Sequence, residues 1–148
     1  MHAIGNPRAG QDAEPAAAEA WKLLRTLLGR HRRRFLIAAA ELHLHAAQAG
    51  ALLQLETPLP MRELADLLVC DTSNVTGLVD RLEARGLVVR QVSAQDRRVK
   101  LLVLTAAGRR LRAQLLQRIG RAPEGLQRLS VSEQQALCEL LRRVAGED

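Results

Sequence analysis

Residues 60–104 read PMRELADLLVCDTSNVTGLVDRLEARGLVVRQVSAQDRRVKLLVL, and the changing hydrophobic period of this stretch decides the fold. Pro60 suits the start of a helix, because its ring presets φ and its missing N–H is not needed in a first turn. Met61, Leu64, Ala65 and Leu68 then recur at helical spacing, predicting a helix to about Val69. After a tight turn over Val69 to Thr72, the side chain of Asp71 or Thr72 is placed to cap a second helix. Its core stripe is Val75, Leu78, Val79 and Leu82, at i, i+3, i+4 and i+7. Gly86 is the expected stop. The period then shortens. Leu87–Val92 and Val99–Leu104 are short and β-rich, and they flank the polar stretch from Ser93 to Arg98, which predicts a hairpin.

Two short helices joined by a tight turn and followed at once by a hairpin describe a winged helix-turn-helix. The first helix buttresses, and the second offers its outer side to base edges in the major groove. With the apolar stripe facing inward, Ser73, Asn74, Thr76, Gly77, Asp80 and Arg81 face outward, behind Thr72 at the helix start. Asn reads adenine; Arg reads guanine or holds phosphate. Alone, this helix equally describes an amphipathic surface helix. The wing decides. Asp96, Arg97 and Arg98 at an exposed turn, with Lys100 behind, contribute little to stability, since surface ion pairs are worth roughly 0–1 kcal/mol. An Arg in a narrow minor groove gains from the negative potential there, and a neighbouring Asp can orient its guanidinium.

Outward from this core the chain reads as helical. Trp21, Leu24, Leu28, Phe35, Ala39 and Leu42 predict a long first helix from Ala17 to about Leu42, with a basic run of Arg30, His31, Arg32, Arg33 and Arg34 in its middle. A second helix spans about His45 to Leu55. Thr105 caps a fifth helix to about Arg121, and Ala122–Gly125 breaks it. Ser130 and Glu133 form a capping box for a last helix to about Val144. Residues 1–16, with Gly5, Pro7, Gly10 and Pro15, read as a flexible arm. The expected fold is therefore mainly α with a small β-hairpin, in the order α-α-α-α-β-β-α-α, as one domain over 17–148.

The bulk numbers agree. The 148 residues are 47% hydrophobic but only 1% aromatic, so the core must be aliphatic. Net charge is +6. From Arg81 to Arg121 there are eleven Arg or Lys against two acids, Glu83 and Asp96, a local +9 that leaves −3 elsewhere. Such regional charge fits a nucleic-acid footprint. Cys70 and Cys138 have no CxxC partner, and each sits among Leu or Val residues, so both read as buried apolar side chains rather than redox centres. No apolar run approaches a membrane span, and the N-terminus lacks a secretory apolar core; cytoplasmic placement on the nucleoid is expected. No nucleophile elbow, P-loop, HExxH or dinucleotide turn is present, so no enzyme and no cofactor are read.

These residues resemble the MarR family of bacterial transcriptional regulators. The resemblance is specific over Pro60 to Gly108, including the Leu104-Thr-Ala-Ala-Gly segment, and extends in helix order from about Leu23 to Val144. It implies a homodimer joined through the N- and C-terminal helices, 17–57 and 105–148, around a DNA-binding lobe of 58–104. It implies repression at a pseudo-palindromic operator in double-stranded DNA, relieved by a small aromatic or anionic effector or by thiol oxidation. Position by position, Ser73, Asn74 and Thr76 match recognition-helix contacts, and Asp96 and Arg98 match the wing pair. Gly77 stands where many members carry a larger residue, often Arg. The resemblance places effectors near the first, second and fifth helices, where Trp21, Arg25, His31, His43 and His45 are the candidates; Trp21 also reads as a packed dimer residue. His43 and His45 lack a third ligand, so no metal is read. A contrasting reading is a helical interaction module, such as an anti-activator, that keeps the fold without binding DNA. It gives no reason to expose Arg97 and Arg98.

Overall fold

The computed structural model describes residues 13–147. Residues 1–12 of the expected arm lie outside them, while residues 13–16 already form the first turn of the opening helix. The elements are α1 (Ala13–Glu41), α2 (Ala46–Gln54), β1 (Leu59–Pro60), α3 (Met61–Leu68), α4 (Thr72–Ala84), β2 (Val88–Val92), β3 (Lys100–Leu104), α5 (Ala106–Ile119), α6 (Glu124–Gln127) and α7 (Val131–Ala145). The expected order holds, with two additions. The break after α5 contains the short α6, and the hairpin gains a third strand, giving sheet order β1-β3-β2, all antiparallel. Leu59 pairs with Leu102, and Pro60 pairs with Leu101. Pro60 is tolerated there because β1 is an edge strand. It also stands one residue earlier than expected in α3, as N-cap rather than first helical residue.

The core is aliphatic, as the composition requires. Leu52, Leu55, Leu64, Leu82, Leu102, Leu115, Val75, Val79 and Val88 are fully buried. The whole predicted stripe of α4 is buried, as are Leu64 and Ala65 of α3, while Met61 and Leu68 are half-buried. The long helix predicted over about 17–42 is present as α1, and its apolar positions are buried only toward the C-terminal end. Ala39 and Leu42 are buried and Phe35 packs on the core, but Trp21 is 56% exposed and Leu28 is exposed with it. At the other terminus, α7 buries no residue. Both cysteines are exposed, against the expectation of burial. Cys70 falls just beyond the end of α3 rather than on its inner face, and Cys138 lies on α7, none of whose residues is buried.

Chain reversals follow local chemistry. At the end of α4, Gly86 adopts φ +66, its N–H donates to Glu83 O at 2.8 Å, and Leu87 N–H donates to Leu82 O at 3.0 Å. This is a Schellman closure, which favours glycine. The end of α3 uses the same left-handed seat, but Val69 fills it, at φ 52. His43 has φ 54 at the corner where α1 turns into α2, the two axes lying 98° apart. Thr105 Oγ1 accepts from Gly108 N–H at 3.0 Å, capping α5 as expected. Ser130 and Glu133 form the expected box on α7, where Ser130 N–H donates to Glu133 Oε2 at 2.8 Å. No single helix among the described residues is long and apolar enough to cross a membrane.

Candidate nucleic-acid interface

The helix expected from the sequence to face the major groove is α4. Its buried stripe turns Thr72, Ser73, Asn74, Thr76, Asp80 and Arg81 to solvent, with Gly77 half-buried between them. Asp71 is the N-cap residue, but its side chain makes no capping bond; its carbonyl accepts from Asn74 N–H and Val75 N–H instead. Side-chain capping by Asp71 or Thr72 is thus not what starts this helix. Of its first-turn N–H groups, those of Thr72 and Ser73 have no hydrogen-bond partner among the described residues, and a helix N-terminus favours phosphate. Thr76 Oγ1 donates to Thr72 O at 2.9 Å, which leaves the Thr76 methyl as its outward contact. Asn74 borders an open groove with Asp66, Val69, Cys70 and Asp71.

The wing turn is built by its own polar side chains. Ser93 is buried at its base, and its hydroxyl accepts from Gln95 N–H at 3.2 Å and Asp96 N–H at 3.4 Å. Ser93 N–H donates to Val99 O at 2.9 Å. Asp96 was expected to orient a guanidinium. Its carboxylate instead accepts the backbone N–H of Arg98 at 2.9 Å, closing an Asx turn. Short side chains that cap a backbone two residues on do so readily, and here that bond wins over the ion pair. Arg97, Arg98 and Lys100 are exposed and have no ion-pair partner among the described residues. Asp96 therefore shapes the wing, and the cations are left free.

Arg90, on β2, was not singled out from the sequence. Its Nη2 donates to Asp80 Oδ1 at 2.6 Å, its Nη1 donates to Glu83 Oε2, and its backbone N–H donates to Glu83 Oε1 at 3.1 Å. The wing strand thus neutralises the two acids of the reading helix and ties the two elements together. The partners lie seven and ten residues away, across a strand and a turn, so no local period announces them.

The +9 stretch divides in three dimensions. Arg81, Arg97, Arg98 and Lys100 belong to α4 and the wing. Arg90 is neutralised. Arg85 Nη1 donates to His43 O at 2.8 Å, binding the end of α4 to the α1–α2 corner. On α5, Arg112 pairs with Glu56 at 3.1 Å, and Arg118 pairs with Glu41 at 3.3 Å. One basic run in sequence is therefore not one footprint.

The effector candidates do not converge. Trp21 precedes the end of α1 at Glu41 by 20 residues, about 30 Å of helix rise, whereas His43 and His45 flank the corner beyond it. Trp21, Arg25, His31, His43 and His45 are all exposed, and neither the groove between α1 and α5 nor the one along α1 gathers them. The α1–α5 groove, of about 470 Å³, is lined instead by Arg34, Ile37, Ala38, Glu41, Gln117, Arg118 and Arg121. Arg34 Nη1 donates to Arg121 O at 3.1 Å. Nothing in the sequence marked this set, because its members lie some 80 residues apart. Among the described residues no group of three His, Cys, Asp or Glu is placed to hold a metal ion.

Comparison with known proteins follows the same lines. The sequence model of the MarR family matches residues 51–100. A curated protein of Thauera aromatica, described as a putative transcriptional regulatory protein for the hcr operon, is 35% identical over 86 residues. That match covers 57% of this chain and 52% of the relative, so the chain spans about half the length of the curated relative. A MarR family protein from Bacillus stearothermophilus has a similar structure, with TM-score 0.79 and 28% identity over 90% of this chain and 96% of the other. CouR from Rhodococcus jostii RHA1, solved bound to p-coumaroyl-CoA, gives TM-score 0.63 and 31% identity over 83% and 89%.

Proposed function

This chain belongs to the MarR family, and on that premise we propose that it is a homodimeric, sequence-specific DNA-binding regulator of transcription. It represses from a pseudo-palindromic operator on the nucleoid and is released by a small aromatic or anionic effector. The observation that carries the reading is the joint placement of α4 and the wing. A helix with small polar residues and two unpartnered N–H groups, of Thr72 and Ser73, stands beside a turn whose two arginines have no counter-ion among the described residues. Reading-helix contacts fall to Thr72, Ser73, Asn74, Thr76, Gly77 and Arg81, and wing contacts to Arg97, Arg98 and Lys100, with Asp96 holding the turn.

The dimer reading has its own support. Trp21, Leu23, Leu27 and Leu28 on α1 and Val131, Leu140, Leu141 and Val144 on α7 are large apolar side chains left exposed in one chain. At about 25 cal/mol per Å² of apolar surface, leaving two such faces in water is costly. A twofold dimer through the terminal helices, 17–57 and 105–148, covers them and sets two copies of the 58–104 lobe against successive major grooves, about 34 Å apart. The α1–α5 groove, where Ile37 and Ala38 lie beside Arg34, Arg121 and an Arg118 paired with Glu41, is the effector site we assign to an aromatic acid or its thioester. The relative solved with p-coumaroyl-CoA supports that choice of ligand class.

The test is a gel shift of the full chain on DNA upstream of its own gene, over a salt series. Binding falls linearly in log-log form, with a slope of about −0.9 per phosphate neutralised. Arg98→Ala weakens binding and leaves the dimer intact by light scattering. Absence of binding to every upstream fragment, or binding indifferent to salt, rejects the DNA reading.

A further inference from the structure

Arg81 is exposed on the outward side of α4, and its Nε donates to Gly77 O at 3.0 Å. The side chain is therefore folded back one turn, in the direction that a helical Cα–Cβ bond already tilts. A Cβ built on Gly77 would meet Arg81 Nη2 at 3.6 Å, an ordinary contact. The guanidinium thus covers the surface above position 77, which any side chain longer than a methyl would claim. With Nε anchored, Nη1 and Nη2 form the outer edge of the fork and have no protein partner among the described residues. The one carboxylate next along the chain, Asp80, is held by Arg90.

We propose that Gly77 and Arg81 form one specificity-determining unit. Glycine clears the helix surface, its carbonyl anchors the arginine, and the two terminal nitrogens read O6 and N7 of a guanine in each operator half-site. The position that lacks a side chain is then not a lost contact. It is the seat of a side chain supplied from one turn later. The chemistry fits because two parallel N–H donors match the paired acceptors of guanine in the major groove. A single such pair discriminates roughly 5- to 150-fold against other bases. Arg81 could not serve if Asp80 were free, since a bare carboxylate beside it would compete for the fork. Arg90 removes that competitor. This inference rests on the DNA-binding reading above.

The experiment selects binders from a randomised duplex library with the full-length wild type, Arg81→Ala, Arg81→Lys, Gly77→Ala and Gly77→Gln. Arg81→Ala should lose a guanine preference at one symmetric pair of positions, with non-specific affinity changed less than threefold. Arg81→Lys keeps the charge and the salt slope but also loses that preference, because lysine has no fork. Gly77→Ala should keep it, and Gly77→Gln should abolish or move it by displacing Arg81. The Gly77 variants raise helix propensity and leave the buried stripe of α4 untouched, so they fold. A uniform loss of affinity on all sequences in Arg81→Ala, with a shallower salt slope, makes Arg81 a phosphate contact and overturns the proposal. So does a Gly77→Gln chain with unaltered preference. A wild type that enriches no sequence overturns the DNA reading itself, a separate outcome.

Discussion

Gly108→Ala is the substitution for which the structure makes the sharpest forecast. Helix propensity alone says it stabilises, by about 1 kcal/mol. Geometry says the reverse. A Cβ on Gly108 would stand 2.0 Å from Leu87 O, 3.0 Å from Leu87 C and 3.1 Å from Leu104 Cδ2. The first turn of α5 must then retreat by more than about 1 Å from the start of β2, a move that crowded interiors resist at about 1–3 kcal/mol. That retreat stretches Thr105 N–H to Leu87 O, now 3.0 Å, and Thr105 Oγ1–H to Gly86 O, now 2.6 Å. Each such bond is worth about 1 kcal/mol. Crowding and lost bonds exceed the propensity gain, for a net loss of about 2–4 kcal/mol. At about 2–4 °C per kcal/mol, Tm falls by roughly 4–16 °C. Circular dichroism melts at one fixed protein concentration read this out, since a dimer's Tm depends on concentration. The control is Gly50→Ala in α2, where the new Cβ meets only Leu68 Cδ2 at 3.6 Å and Tm should rise. If both variants melt higher than wild type, propensity governs and the steric argument is wrong.

Three further outcomes are expected. Val69→Gly relieves a β-branched residue from the left-handed region at a site 92% exposed, and should stabilise by about 0.5–1 kcal/mol in urea unfolding. Arg90→Ala frees Asp80 and Glu83 to repel phosphate, so it should weaken DNA binding in a gel shift, and adding Asp80→Asn should restore part of the loss. Glu133 is held below the usual carboxylate range by the Ser130 hydroxyl first and the Ser130 backbone N–H second. Its contribution to α7 is therefore present above the unfolded carboxylate value and disappears as pH falls through the lowered folded one. Ser130→Ala should move the Glu133 titration upward by NMR, and an unmoved titration rejects the capping box as its cause.

The sequence disclosed much of what depends on neighbours along the chain, though not the absence of a side-chain cap at Asp71 or the backbone bond that Asp96 accepts. The α4 stripe, the Gly86 stop, the Thr105 cap and the Ser130–Glu133 box are all local devices, and each sits where its residues place it. Contacts between distant segments were not legible. Leu59 and Pro60 carry no strand signal of their own; they pair only because Leu101 and Leu102 lie alongside. Arg90 looks like one more cation of a basic stretch until folding sets it against Asp80 and Glu83. The exposure of Trp21 in one chain agrees with its reading as a dimer residue, although helical spacing alone does not reveal whether the surface an apolar residue faces belongs to the same chain. The buried role assigned to Cys70 failed for a related reason, since α3 ends two residues before it.

The corner at His43 gives the molecule a gearing. α1 is 29 residues long, about 43 Å, so a tilt of roughly 5° at the corner sweeps its far end through roughly 4 Å. The Arg85 guanidinium grips the carbonyl at that pivot and sits at the foot of the reading helix. Small rotations there are therefore shared between a long arm and a short one. In the dimer proposed above, a wedge between the arms would therefore also change the spacing of the two α4 helices, away from the one turn of DNA that operator binding would require.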